Sequence, residues 1–156
     1  MSRSPLYVGL AVLLGLTALA LAADIEDCTE NDELGQFVEA TIAGCSDDDT
    51  KCPLHRGQNA SITIKFKTKK EIKSVQQVVH GSLPAVPIPV PFPLESPDAC
   101  QNTGLTCPLP AAGDFTYTYS IFVKPTFPKV SVNVKWELLN EDQKQIVCVK
   151  VPSTLK

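Results

Sequence analysis

The chain has 156 residues, 44% of them hydrophobic and 20% charged, with 14 basic and 17 acidic side chains. A chain of this length holds one ordinary domain, and its apolar content excludes a disordered one. The acidic balance argues against nucleic acid as a partner.

Residues 1–23 read as a secretory signal peptide. Arg3 supplies the positive start, Leu6 to Leu21 carries no charge, and Ala18-Leu19-Ala20 and Ala20-Leu21-Ala22 offer small-residue cleavage sites. The apolar run is about 16 residues, short of the roughly 20 that span a bilayer. Losing Arg3 takes the 14 basic residues to 13 against 17 acidic, so residues 24–156 carry a net charge of −4.

Gln36 to Ile42 is the first plausible strand. Cys45 and Cys52 then flank a polar loop containing Asp47-Asp48-Asp49, which lacks the ligand spacing of a calcium loop. His55 lies in a basic, glycine-containing turn. Asn59-Ala60-Ser61 is an N-glycosylation sequon at the entry to a strand. Ile62-Thr63-Ile64-Lys65-Phe66-Lys67 alternates apolar and polar, the pattern of a half-buried strand. Lys65, Lys67, Lys69, Lys70 and Lys73 form either the solvated face of that strand and its turn or a patch for anionic lipid headgroups or a partner. Ile72 to Val79 reads as another strand, followed by His80-Gly81.

Residues 84–97 are unusual. Pro84, Pro87, Pro89, Pro91, Pro93 and Pro97 are interleaved with Val86, Ile88, Val90, Phe92 and Leu94. Proline has no backbone donor and cannot occupy a central strand, so this is an edge or an extended loop. Its apolar side chains fit core packing, the rim of an apolar cavity, or a polyproline ligand. Cys100 and Cys107 flank a second polar loop. Phe115 to Val123 is rich in aromatic and β-branched residues. Val130 to Leu138 is the clearest strand, with Val130, Val132, Val134, Trp136 and Leu138 on its inward face. Ile146 to Val151 closes the series. Six or seven short strands separated by turns predict an all-β sandwich or barrel.

All six cysteines lie beyond residue 23, an even number that predicts disulfides in an oxidising compartment. Of the 15 pairings that six cysteines allow, spacing favours Cys45 with Cys52 and Cys100 with Cys107. Cys28 and Cys148 then remain, near the two ends. Zinc is disfavoured, because six residues separate each close pair and no histidine completes a finger pattern. No nucleophile elbow, phosphate loop or dinucleotide fingerprint is present, and neither His55 nor His80 has a nucleophile and orienting group in the sequence. The chain is therefore read as a non-enzyme with no cofactor and no metal.

Taken in order, the clamped ends, the two short cysteine loops, Val78-Val79-His80-Gly81, Val90-Pro91-Phe92-Pro93, Pro97-Asp98-Ala99-Cys100, Cys107-Pro108 and Lys135-Trp136-Glu137-Leu138 resemble the MD-2-related lipid-recognition family. The likeness is greatest to its Niemann-Pick type C-2-like, arthropod-like branch and covers Cys28 to Pro152. The resemblance implies an immunoglobulin-like β-sandwich of two antiparallel sheets with about seven strands. It also implies the pairs Cys28–Cys148, Cys45–Cys52 and Cys100–Cys107. It places a sterol between the sheets, with Phe92, Val123 and Phe127 on the entrance and wall and Val90 and Trp136 as further pocket residues. Residues 24–156 become a secreted or lysosomal sterol carrier, monomeric, which hands its ligand to a membrane sterol transporter; the glycan expected at Asn59 rests on the sequon, not on the resemblance. A fatty-acid or semiochemical carrier and an innate-immune receptor for microbial lipid are the alternatives.

Overall fold

A computed structural model describes residues 24–156 apart from Asp47; the expected signal peptide lies outside the described residues. The strands are β1 (Glu26–Asp27), β2 (Gly35–Ile42), β3 (Cys52–Leu54), β4 (Asn59–Thr68), β5 (Gln76–Leu83), β6 (Val86–Pro91), β7 (Asp114–Phe122), β8 (Ser131–Leu139) and β9 (Gln145–Leu155). One sheet runs β1-β9-β8-β5-β6, with β3 added to β9, and the other runs β2-β4-β7. Every pairing is antiparallel except β3 with β9, which is parallel. The sandwich expected from the sequence is present, with nine strands among the described residues rather than about seven. The two additions, β1 and β3, have two and three residues, too few for a period to show.

Several strands begin or end elsewhere than the pattern suggests. The strand expected over Ile72–Val79 is Gln76–Leu83. Ile72 and Val75 are fully buried but precede it, and Ile72 makes only an isolated bridge to Leu109. Burial, not pairing, accounts for their apolar character. The last strand continues past Val151 to Leu155, with Pro152 opposite Asn133. Val130 stands just outside β8, half-buried.

The sandwich is packed at one end and parted at the other. At the packed end Phe66, Tyr117, Leu138 and Ile146 are fully buried, and Phe66 and Phe115 meet with ring centroids 5.8 Å apart. Each such side chain contributes about 1.5–3 kcal/mol by leaving water. Gly35 lets the sheets approach here, since a Cβ at that position would stand 2.6 Å from the carbonyl oxygen of Ile146. Along β8 the inward face passes from buried Leu138 and Trp136 to half-buried Val134 and Val132. That change marks where the core stops and a cavity begins.

The disulfides are Cys28–Cys148, Cys45–Cys52 and Cys100–Cys107, as the spacing favours and the resemblance implies. The first joins the residue after β1 to the middle of β9 across 120 residues, a closure worth ~4–5 kcal/mol in the chain-entropy model.

Candidate functional site

The parted end encloses a cavity of about 600 Å³. Its walls are the far ends of the same strands that build the core: Ile62 of β4, Ile121 of β7, Val132 and Val134 of β8, Val151 and Leu155 of β9. Strand alternation delivers these side chains inward. Trp136 forms the floor, 4% exposed, at the boundary with the packed core.

The proline-rich segment resolves into β6, an edge strand on β5, followed by Phe92 and Pro93. Of the three readings open for it, two hold: β6 borders the cavity, and Phe92 and Leu94 also pack against the core. His80 faces Pro91, and Gly81 faces Val90. Val86, Ile88 and Val90 border the cavity and remain at least half exposed, at 50%, 66% and 62%. An edge tolerates the missing donors of proline.

Phe92, Val123, Phe127, Val90 and Trp136, singled out from the sequence, all border this one cavity. Phe92 is fixed by its N–H, which donates to Val79 O at 2.8 Å. Val123 lies just past β7, buried, with its N–H donating to Gln58 O at 2.9 Å. Phe127 sits in the turn that follows and meets Phe92 edge-on, with centroids 5.8 Å apart at 73°. The two rings, 35 residues apart in sequence, thus form one side of the opening.

Two supports were not legible in the sequence. Arg56, in the turn between β3 and β4, donates through Nη1 to Pro125 O at 3.1 Å and to Phe127 O at 3.0 Å. It ties the Phe127 turn to the opposite strand pair. Beneath the floor, the Tyr117 hydroxyl donates to Gln77 Oε1 and accepts from Trp136 Nε1 at 3.0 Å. Gln77 Nε2 donates in turn to Ser96 O at 2.6 Å. Burial pushes the Tyr117 phenol far above its ordinary range, so it stays neutral and can serve both partners.

No lysine, arginine, aspartate or glutamate borders the cavity among the described residues. His80 does so only from the outer face of its sheet, where Nδ1 lies 3.9 Å from Glu137 Oε2. The lysine cluster is elsewhere. Lys65 and Lys67 point to solvent towards the packed end of β4, paired with Glu39 at 2.9 Å and Asp114 at 3.5 Å. Lys69 pairs with Asp32.

A two-sheet sandwich with three disulfides and an apolar interior has a counterpart among known proteins: the model of the ML domain matches residues 22–155. The chain belongs to the ML-domain family. Within it, the NPC intracellular cholesterol transporter 2 homolog a of Drosophila melanogaster is 38% identical over 141 residues, covering 90% of this chain and 93% of that protein. The ecdysteroid-regulated 16 kDa protein of Manduca sexta is 35% identical over 149 residues, covering 96% and 97%. Among solved structures, a Niemann-Pick type C2 protein from the Japanese carpenter ant superposes with a TM-score of 0.77 at 33% identity, over 85% of this chain and 98% of that one.

Proposed function

We propose that the protein is a soluble carrier that takes a sterol into the cavity between its sheets, performs no reaction on it, and releases it to a membrane sterol transporter. The observation that carries this reading is the cavity of about 600 Å³ with an almost wholly apolar lining. A water molecule takes up about 30 Å³ of liquid, so roughly twenty waters would fill the space with almost no polar partner. An apolar ligand releases them. Burying roughly 400 Å² of ligand surface contributes about 10 kcal/mol gross, against about 8 kcal/mol for a micromolar Kd. Preformed walls keep the ordering cost low.

The lining favours a neutral lipid. A carboxylate or phosphate headgroup would find no cation among the bordering side chains, whereas a sterol hydroxyl needs a single hydrogen bond at the mouth. The microbial-lipid alternative calls for basic residues around the opening, whereas none of the five clustered lysines borders the cavity and Lys65, Lys67 and Lys69 are paired with acids. Names of relatives point the same way: the Drosophila protein is named as a cholesterol transporter. Three disulfides suit residence in an oxidising compartment, outside the cell or in the lysosomal lumen.

The test is displacement of a fluorescent sterol from the oxidised protein by cholesterol and by oleate, run in parallel on Phe92→Ala. Cholesterol should displace at sub-micromolar concentration and oleate only weakly. Phe92→Ala should lose binding while its circular dichroism is retained, because the ring is half-buried at the rim rather than in the core. Strong displacement by oleate with little by cholesterol would instead make the protein a fatty-acid carrier, and undiminished binding by Phe92→Ala would remove Phe92 from the wall.

A further inference from the structure

The solvent face of β4 and β7 carries a feature that the lipid cavity does not use. Across this strand pair Thr63 faces Thr118 and Ser61 faces Ser120, with hydroxyl oxygens 3.1 Å and 2.5 Å apart. One step further along the same column, Asn59 faces Phe122. Both are exposed, and Phe122 leaves 51% of its surface in water. Leu83, Val86, Ile88 and Val90 are also exposed, but they border the cavity; Phe122 does not, because its neighbours Ile121 and Val123 are the ones that point inward.

The backbone fixes how the two side chains stand. The N–H of Thr118 turns away from β4 to donate to Thr103 O at 2.8 Å, whereas that of Val123 turns towards it, to Gln58 O. Bonded and non-bonded partners alternate in an antiparallel ladder, so Phe122 shares the parity of Thr118 and forms a non-bonded pair with Asn59. Such pairs bring opposing side chains closest, with Cα atoms about 4.5 Å apart.

Asn59-Ala60-Ser61 is an acceptor sequence for N-glycosylation with no proline at its centre. The three disulfides fit passage through the oxidising compartment in which that modification occurs. We propose that Asn59 carries an N-linked glycan whose first N-acetylglucosamine packs its C–H face on the ring of Phe122. The glycosyl donor is a polyprenyl diphosphate-linked oligosaccharide. The Asn59 amide nitrogen bonds to the anomeric carbon, the bond from that carbon to the phosphate oxygen breaks, the lipid diphosphate leaves, and the amide proton passes to a base on the transferase. The sugar's C–H bonds are electron-poor and the face of the ring is electron-rich, so the two attract as they leave water. The glycan covers the apolar ring and stands on the side of the sheet away from the cavity.

The full chain, secreted from insect cells, provides the test. Glycopeptide mass spectrometry reads occupancy at Asn59. Thermal unfolding is compared for the intact glycoprotein, for the form trimmed by an endoglycosidase to a single N-acetylglucosamine, and for Asn59→Gln, each with Phe122 and with Phe122→Ser. Asn59 should be occupied. The trimmed form should melt with the intact one, and Asn59→Gln roughly 2–4 °C lower. That difference should vanish with Phe122→Ser, and sterol displacement should be the same in every form. If Asn59→Gln is not secreted, enzymatic removal of the whole glycan from the folded protein supplies the same comparison. An unmodified Asn59, no difference on removing the last sugar, or a difference that persists undiminished with Phe122→Ser would each overturn the proposal.

Discussion

Tyr117 lies beneath the cavity floor with no exposed surface, and its hydroxyl links Gln77 to Trp136. Tyr117→Phe preserves the ring packing but strands a buried amide oxygen and an indole N–H. An orphaned buried polar group costs about 1–3 kcal/mol. Urea unfolding should show that loss as a lower midpoint at unchanged slope; an unchanged midpoint would mean that water replaces the hydroxyl. This relay could not be read in the sequence, because its members are 40 and 19 residues apart and meet only through the register of β5, β7 and β8. The five pocket residues were more accessible. Phe92 and Phe127 sit in short proline-marked motifs whose order along the chain is informative, although nothing in either motif says that the two rings touch. The exposed Phe122 gave no signal, since an aromatic in an alternating strand is equally consistent with either face until the register is known.

At the level of elements, the opening is built by an edge strand and a turn. β6 cannot pair further outward, because Pro87, Pro89 and Pro91 remove its donors. That property was evident from composition and correctly excluded a central position. The turn that carries Phe127 depends on Arg56, and hydrogen bonds to a charged group contribute about 1.5–3 kcal/mol. Arg56→Ala frees the carbonyls of Pro125 and Phe127 and loosens the contact between Phe127 and Phe92. Sterol dissociation, followed by stopped-flow fluorescence, should quicken by about tenfold, equivalent to roughly 1.4 kcal/mol, and the melting temperature should fall as these hydrogen bonds are lost. Unaltered dissociation would show that the turn holds without the guanidinium. Long alternating strands such as β4 and β8 were plain in the sequence. The displacement of β5 was not, since Ile72 and Val75 have the same apolar character as strand residues while serving as buried anchors in front of it.

For the molecule as a whole, surface carboxylates contribute to the loss of stability in acid. Lys69 holds Asp32 below its ordinary value of 3.8. The backbone N–H and hydroxyl of Ser46 do the same for Asp49. Backbone N–H groups, its own first and then those of Lys73 and Ser74, lower Glu141 from 4.5. Each group binds its proton more weakly in the folded state, so its contribution is complete above the unfolded value and fades as pH falls through the folded one. Stability from these three should therefore be intact at about pH 5 and decline only below about pH 4.5. A series of Tm values against pH should show the decline, and Asp32→Asn should flatten part of it; parallel curves would assign the acid limb to other groups. The two-sheet architecture and the cysteine pairing were legible because strand period and cysteine spacing are local signals. The hollow was legible only through the proline-rich segment and the family resemblance, since the valines and isoleucines that surround it are the residues that would fill an ordinary core.

The division between packed and parted ends also makes the empty protein bulky for its mass. Water packs loosely in the space enclosed by Val132, Val134 and Ile121, the void it leaves is lost when the chain unfolds, and unfolding under hydrostatic pressure is favoured by the void it eliminates. A lipid in that space removes the advantage. Compression thus opposes the empty carrier and spares the loaded one, so the cargo acts as a piece of the core that the chain itself does not encode.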